Sequence, residues 1–269
     1  MFYILPGGSK MHSRDATQAV LSRVLGSYSN PVPQAGAARM REERMPFRIK
    51  LVQNENELDR AVSIRHSAYA RHVPEFAATL TRPETFDYEG GTVILLAESK
   101  LDGSPIGTMR IKTNRHSPLG LEQSVKLPDW LEDTSIAEAT RLGIATGRMG
   151  MVVKTMLFKA FYQYCMQTGI EWMVITARSP LDRQYEDLLM EDVYPDGGFI
   201  PMRHIGGMPH RVMALDVLNA KARWTEARHP LLSFMCDTYH PDIDLAGARD
   251  FALPAIPAPI MGPSTTLMQ

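Results

Sequence analysis

The stretch EATRLGIATGRMGMVVKTML, from Glu138 to Leu157, decides the fold. It continues an apolar strand, passes through several glycines and runs on into apolar residues at helical spacing. We predict a strand over 135–144 and a buried helix over about 148–168 that ends at Gly169.

The glycines of this bend are Gly143, Gly147 and Gly150. The start of a helix leaves main-chain N–H groups unpaired and exposes the positive end of the dipole, which suits a phosphate group. Arg148 and Lys154 would add positive charge, whereas tight packing of the glycines is the alternative that the residues leave open. The bend is not a P-loop and does not match the dinucleotide fingerprint.

The segments on either side predict the order of the remaining elements. Asn54 and Glu57 form a capping-box-like start to a helix, and Asp102-Gly103 separates two apolar runs in the manner of a β-hairpin. This order predicts a mixed α/β (α+β) fold with a central sheet flanked by helices, not a doubly wound nucleotide fold. The predicted elements are a helix over 55–72, hairpin strands over 92–98 and 105–112, a strand over 171–177, a helix over 180–190 capped by Ser179-Pro180, strands over 199–203 and 211–217, and helices over 218–228 and 231–238.

Composition limits the classes of protein. With 269 residues and 44% apolar content the chain can bury a real core, and its net charge of −1 excludes nucleic-acid binding driven by bulk charge. We expect a flexible arm over 1–45, a folded domain over 46–250 and a disordered, proline-rich tail over 251–269.

The cysteines, Cys165 and Cys236, are too few for a disulfide framework, which favours a reducing, cytoplasmic location. No apolar run approaches the roughly 20 residues of a membrane span. We expect no metal site, because the histidines are dispersed and no metal-ligand motif occurs.

Several polar residues stand out in apolar surroundings. Arg110 lies in a predicted strand and needs a carboxylate partner or an acidic substrate. Glu138 and Arg141 are three apart in one strand, so we expect them on opposite faces; Glu138 as a solvated residue or as the partner of Arg110 is the alternative to a functional role. Tyr185 could protonate a leaving thiolate, or it could simply pack.

The order of elements and the motif EATRLGI resemble the Gcn5-related N-acetyltransferase superfamily, in particular its branch that uses acyl-carrier-protein thioesters. Acyl-homoserine-lactone synthases and long-chain N-acyl amino acid synthases are in this branch. The resemblance covers about 50–217, and FMCDTYHPDID at Phe234–Asp244 is similar to the N-acyl amino acid synthases in particular. The matching motif residues are Arg65, Asp87, Arg110, Glu138 and Arg141.

Two departures from the family pattern bear on the substrates. The tryptophan usual in lactone synthases after the first helix is missing from HVPEF at 72–76, which disfavours S-adenosylmethionine as the acceptor. Met151 and Val153 occupy glycine positions of the turn that binds the pyrophosphate of coenzyme A, which favours a phosphopantetheine arm on a carrier protein.

The resemblance implies an N-acyltransferase that moves a long-chain fatty acyl group from acyl carrier protein, or from acyl-CoA, to the α-amine of an amino acid by direct attack. No permanently bound cofactor is implied; the donor is an acyl-phosphopantetheine thioester. The alternatives are an acyl-homoserine-lactone synthase and a catalytically silent acyl-binding module of the same fold.

The resemblance also implies roles for residues. Glu138 would be the base and Tyr185 a proton donor; Arg110 or Arg65 would hold the acceptor's carboxylate, and Arg141 would organise Asp87. The oxyanion and phosphopantetheine groups would be Leu142, Gly143, Ile144, Gly147, Arg148 and Gly150. The acyl slot would be lined by Met151, Phe158, Phe161 and Trp172, with core packing of most of them as the alternative. Arg148, Lys154 and Lys159 would form a docking patch for an acidic carrier protein, or alternatively a solvated helix face.

Overall fold

The structure is a computed structural model and describes residues 40–248. The tail predicted over 251–269 and most of the arm predicted over 1–45 lie outside the described residues. Arg41 and Glu42 already form a strand, and Met45 is buried with its N–H donating to Asp242 Oδ2 at 2.6 Å. The folded part therefore includes residues that we had assigned to the arm.

A mixed sheet forms the centre of the described chain. The strands of the described chain are β1 Arg41–Glu42, β2 Phe47–Leu51, β3 Thr92–Ser99, β4 Pro105–Thr113, β5 Ile136–Ile144, β6 Trp172–Ala177, β7 Glu191–Asp192, β8 Ile200–Met202, β9 Met208–Asp216, β10 Thr238–Tyr239 and β11 Ile243–Asp244. The strands of the mixed sheet run in the order β11-β2-β3-β4-β5-β6-β9-β7, and β8 pairs with β9. The pairs β5–β6 and β11–β2 are parallel and the others antiparallel, while β1 and β10 form a separate parallel pair.

Helices cover both faces of the sheet. The α-helices are α1 Glu55–Ala70, α2 Pro74–Ala77, α3 Asp129–Glu132, α4 Arg148–Thr168, α5 Asp182–Glu186 and α6 Ala220–Glu226, with a π turn at Ser233–Asp237 and 3-10 turns at Ala78–Leu80, Thr85–Asp87, Gly120–Gln123 and Arg203–Ile205. The Asn54 side chain accepts from the N–H of Glu57 at 3.0 Å, and Gly169 ends α4 in the left-handed region. These two ends confirm the sequence signals.

The prediction of a helix over 180–190 is wrong for most of its length. The Ser179-Pro180 peptide is cis and lies before the helix, and α5 spans only Asp182–Glu186 without a side-chain cap. The chain leaves helical geometry at Leu189, whose φ is 62°. Likewise, the helix predicted over 231–238 is a single π turn.

Apolar side chains on the two faces of the sheet form separate cores. On one face α4 buries Val153, Met156 and Phe161 against strands β3 to β6. On the other face α1 packs against Ile94 and Leu96. The helix and the sheet therefore hold the glycine bend, which joins β5 to α4, in a fixed position.

A β-bulge interrupts β5. Thr108 pairs with Gly143 but Arg110 pairs with Thr140, so β5 has one residue more than β4 between these two pairs. The bulge lies at Arg141, whose φ is 55°. The bulge puts the Arg141 side chain on the same face as Glu138, so our expectation of opposite faces was wrong.

Five charged side chains lie between α1, the turn Thr85–Asp87 and strands β4 and β5. We call Arg65, Glu84, Asp87, Arg110 and Arg141 the arginine cluster. Arg65 binds Asp87 through both terminal nitrogens at 2.8 and 3.0 Å, and Arg141 binds Glu84 through Nε and Nη2, each at 2.6 Å. Arg110 Nη1 lies 3.1 Å from both carboxylates. The cluster ties α1 and the turn to the sheet.

The arginines keep both carboxylates ionised. Burial alone would raise the pKa of Asp87, but its hydrogen bonds and charge contacts with Arg65 and Arg110 hold the pKa below its usual value. The pKa of Glu84 is lowered against burial in the same way, chiefly by Arg141. With three arginines and two carboxylates, the cluster carries one excess positive charge.

Asp87→Asn should lower the free energy of unfolding at pH 7 by about 3–5 kcal/mol, because it leaves the buried guanidinium of Arg65 uncompensated. Since folding lowers the pKa of Asp87, its stabilisation is present above the unfolded value of 3.8 and is lost as the pH falls through the folded value. The difference between wild type and variant should therefore shrink in acid, as urea unfolding at several pH values will show.

The matched control is Asp237→Asn, which removes an exposed pair with Lys221 (Nζ–Oδ1 3.1 Å). Its effect should stay below about 1 kcal/mol. Equal losses for the two variants would contradict a structural role for the arginine cluster.

Candidate active site

A cleft opens where two neighbouring strands separate. β5 and β6 pair from Ile136 with Trp172 to Ala139 with Ile175 and then diverge. The gap between them is a cleft of about 320 Å³ that is lined from both faces of the sheet. The unpaired main-chain groups at its edges are available to a ligand.

The face of the cleft that is covered by α4 is mainly apolar. Met151 and Phe158 of α4 line it together with Tyr185 of α5. Burial raises the pKa of Tyr185 to about 12, so the hydroxyl keeps its proton at neutral pH. Lys154 also points into the cleft, where it hydrogen-bonds Gln184 and burial lowers its pKa.

A second, smaller cavity of about 70 Å³ continues from this face. It shares Leu142, Phe158 and Tyr185 with the cleft and extends to Leu188, Leu231 and Met235. This apolar extension suits an alkyl chain.

The opposite face of the cleft carries more polar groups. They include Tyr69 and Arg71 at the end of α1, Arg141 in the bulge, Arg178 after β6 and His210 of β9. The cleft thus has an apolar side and a polar side, separated by the plane of the sheet.

The glycine bend contributes in two ways. The N–H of Ala145 donates to Ile106 O at 2.9 Å, so strand alternation directs the N–H of Ile144 away from β4, towards the cleft. Leu142 and Ile144 line the cleft, as the oxyanion role requires. Gly147, with a φ of 86°, lies at the exposed start of α4 beside Arg148.

Two glycines of the bend serve packing. A Cβ at Gly143 would lie 3.0 Å from Arg65 Cα, and a Cβ at Gly150 would lie 2.0 Å from Ala145 O. Only glycine lets these backbones approach so closely. The packing interpretation therefore accounts for Gly143 and Gly150.

Glu138 is buried beside the cleft and does not line it. Its carboxylate is 1% exposed and accepts from the N–H groups of Gly120 at 2.7 Å and Leu121 at 3.3 Å. Burial raises its pKa to about 7, against these hydrogen bonds and the charges of Arg110 and Arg141. The expectation that it is solvated or pairs with Arg110 was wrong, since Arg110 bonds Glu84 and Asp87. Its role as the base stays a prediction.

His204 lies next to Glu138, with Nε2 3.4 Å from Oε1. Burial, with the positive charges of Arg141 and Arg110, lowers the pKa of His204 to about 3, so the ring is neutral. The main-chain oxygen of His204 accepts from Arg141 Nη2 at 2.9 Å. This residue links Glu138 to the arginine cluster.

The structure separates the predicted acceptor-binding residues. Arg65 and Arg110 are 0% and 3% exposed and bond Asp87 and Glu84, so only Arg141 of this set reaches the cleft. Arg141 binds Glu84, not Asp87 as expected, because the bulge turns it towards Glu84. Sequence reasoning missed Glu84, although a second carboxylate three residues before Asp87 was a usable signal.

Part of the predicted acyl slot is wrong. Met151 and Phe158 line the cleft, but Phe161 is fully buried in the core under the sheet. Trp172 packs edge-to-face against Trp130, with ring centroids 4.9 Å apart, and belongs to a different apolar cluster. Helical spacing cannot tell which buried side chains adjoin a gap in the sheet.

The predicted docking patch is also wrong as a continuous surface. Lys159 is 0% exposed, and its ammonium donates to the main-chain oxygens of Phe234 and Thr238 and contacts His240 Nδ1 at 2.9 Å. With Lys154 inside the cleft, Arg148 alone of the three is exposed.

Residues 40–248 contain neither a candidate metal site nor a candidate membrane-spanning helix. Within residues 40–248, no group of three or more histidine, cysteine or acidic residues is arranged to hold a metal ion. In the same part of the chain, no helix is long and apolar enough to cross a membrane.

Comparisons with known proteins bear on the fold. No protein-family model and no curated protein sequence matches the chain. Among solved structures, FeeM, an N-acyl amino acid synthase from uncultured soil microbes, is similar over 68% of this chain and 97% of its own, with a TM-score of 0.55 and 19% identity. BjaI, a CoA-dependent acyl-homoserine lactone synthase solved with SAM and isopentyl-CoA, is similar over 77% and 99%, with a TM-score of 0.51 and 14% identity. The predicted fold class, a mixed central sheet flanked by helices, is confirmed.

Proposed function

We propose that this chain is an N-acyltransferase that transfers a fatty acyl group from a thioester to the α-amine of an amino acid. The main support for this proposal is the cleft between β5 and β6, which has an apolar cavity on one side of the sheet and cationic and titratable groups on the other. An acyl donor and a charged acceptor can enter such a cleft from opposite faces and meet at the gap. The similarity to FeeM and BjaI in fold is compatible with this chemistry.

The donor side supplies what a thioester requires. With the acyl chain directed towards Leu188 and Leu231, the carbonyl would lie near the N–H of Ile144. One such main-chain donor to an oxyanion contributes about 3 kcal/mol of transition-state stabilisation in comparable sites. Tyr185, which stays protonated at neutral pH, would give its proton to the departing thiolate.

We propose acyl carrier protein as the source of the thioester and the cytoplasm as the location. Met151, at one of the family's glycine positions, lines the cleft, and its side chain occupies space that a glycine would leave open. A phosphopantetheine arm needs only the inner groove, whereas coenzyme A also needs room for its nucleotide. The exposed Arg148 would face the acidic carrier, and no permanently bound cofactor is required.

Purified protein, supplied in turn with acyl carrier protein and coenzyme A thioesters of a long-chain fatty acid, should form N-acyl amino acids that mass spectrometry detects. We expect turnover with the carrier-protein donor to exceed that with the coenzyme A donor. An acyl lactone formed from S-adenosylmethionine would instead indicate the alternative synthase. Absence of any acyl product from all donors and standard amino acids would refute the proposal.

Glu138→Gln tests the base role predicted from the sequence. A base requires a fall in turnover of about 100-fold or more. Because the carboxylate is enclosed by Gly120, Leu121 and His204, we expect less than a tenfold fall, with an unchanged Michaelis constant for the acceptor.

The same variant has a second readout. Folding raises the pKa of Glu138 from 4.5 to about 7, so the wild type loses stability as the pH rises through this window. Relative to wild type, Glu138→Gln should gain on the order of 1–3 kcal/mol between pH 5 and pH 8. A fall in turnover of about 100-fold or more in a folded variant would instead support Glu138 as the base, whether or not this gain is seen.

Leu231→Trp should shift donor preference towards shorter acyl chains, because the larger side chain fills the apolar extension of the cleft. The measurement is the ratio of kcat/KM values for short and long acyl donors. Leu218→Trp, at a position that is 70% exposed, is the matched control and should leave the ratio unchanged. An unaltered ratio in Leu231→Trp would mean that the chain lies elsewhere.

A further inference from the structure

Arg178 differs from the other arginines near the polar side of the cleft. It follows β6 directly, is half-buried and lines the cleft. Within residues 40–248 its guanidinium forms no ion pair, whereas Arg65, Arg110 and Arg141 are bound by Glu84 and Asp87. A half-buried guanidinium without an acidic partner is a ready site for a carboxylate.

His210 lies beside Arg178. β6 and β9 are antiparallel and their last pair is Ala177 with Arg211, so Arg178, the residue after β6, and His210 come next along their chains just beyond that pair. The charge of Arg178 acts on His210, which strand alternation places on the face opposite Arg211. Thr176 pairs with Val212 on that same face. Both Arg178 and His210 contribute to the lining of the cleft.

A main-chain carbonyl group fixes which ring nitrogen of His210 carries the proton. Nδ1 lies 2.9 Å from Met208 O, and a carbonyl only accepts, so Nδ1 carries the proton. In the neutral ring Nε2 then holds a free electron pair. Burial, with the charge of Arg178, lowers the pKa of His210 below 6.5, so the neutral form prevails at pH 7.

The groups around His210 favour the neutral form of its ring. Arg178 faces it from the end of β6, and neutral His204 faces it from the turn after β8. Arg211, the next residue on β9, is turned away and bonds Asp182, Glu186 and Asp192. None of the groups shown to act on His210 is a carboxylate that would stabilise an imidazolium.

We infer that Arg178 and His210 form the acceptor site, Arg178 binding the α-carboxylate and His210 accepting the proton of the α-amine. This assignment rests on the proposed acyl transfer and goes beyond it, because it identifies the residues that select an α-amino acid. The carboxylate and the amine of such an acceptor sit on one carbon atom. Two neighbouring side chains that line the same cleft can contact both groups at once.

In the proposed acyl transfer, a C–N bond forms and a C–S bond breaks. The neutral amine attacks the thioester carbonyl, and the nitrogen gives a proton to His210 Nε2 as the C–N bond forms. The C–S bond then breaks, and the thiolate takes a proton from Tyr185. The imidazolium of His210 then gives its proton to the phenolate of Tyr185 through water, which restores both residues. The products are an amide and a free thiol.

Arg178→Gln is tested with the best acceptor among the standard amino acids and with the primary amide of that amino acid. We expect a rise of about 10- to 100-fold in KM for the amino acid. The amide lacks the carboxylate, so its KM should be the same for wild type and variant. Arg178→Lys, which retains the charge, should give an intermediate KM and guards against a folding defect.

Two other arginines serve for comparison. Arg183→Gln, at an exposed position of α5 that does not line the cleft, should leave both KM values unchanged. Arg71 also lines the cleft, but its guanidinium donates to Ser67 O and Ile144 O. A selective rise in amino-acid KM for Arg71→Gln, and not for Arg178→Gln, would overturn the assignment.

His210→Gln should lower kcat by about 100-fold or more with little change in KM. As the pH is lowered, the wild-type kcat/KM should fall more steeply below the pKa of His210 than above it. Above this pKa only the amine becomes protonated, whereas below it the ring becomes protonated as well. The variant should lose this extra steepness and recover activity on addition of imidazole. A merely structural histidine would show neither effect.

The outcomes separate this inference from the proposed function. If wild type makes N-acyl amino acids while Arg178→Gln keeps its KM and His210→Gln its pH profile, the acceptor site is wrong and the function stands. If wild type makes no acylated amine, the function itself is wrong.

Discussion

The divergence of β5 and β6 is the constraint on which the rest of the site depends. Parallel strands normally share their main-chain hydrogen bonds along their whole length, but here pairing stops at Ala139 and Ile175. The bulge at Arg141 lies two residues beyond this last pair, where β5 leaves β6. Main-chain groups that a neighbouring strand would otherwise bind are thereby left for substrates, in a gap that joins the two faces of the sheet.

The charges around the gap are arranged in two different ways. On the side of α1, three arginines are bound by Glu84 and Asp87. Bidentate hydrogen bonds of Arg65 and Arg141, and the contacts of Arg110 Nη1 with both carboxylates, offset the desolvation of these arginines. This arginine cluster stabilises the bulge and places Arg141 at the cleft. On the side of β9, Arg178 has no acidic partner in the described part of the chain. Structural and ligand-binding roles are thus divided between arginines that look alike in the sequence.

Local signals predicted much of the fold. The Asp102-Gly103 turn, the Asn54 cap and Gly169 act through neighbouring residues, and each one formed the element that it predicted. Signals that depend on distant contacts failed. The bulge reversed the expected orientation of Arg141, and the segment after Ser179-Pro180 made a helix of only five residues.

The amino-acid sequence by itself determined the order of elements, the glycine bend and the residue types of the motif Glu138 to Ile144, because propensity, capping and turn chemistry act over a few residues. Only the tertiary structure decided which of these side chains reach the cleft. Glu138 is enclosed by the turn at Gly120–Gln123, while Arg178 and His210 come together just beyond the last pair of β6 with β9. Burial and cross-strand register arise from contacts between segments far apart in the chain, and no local pattern encodes them.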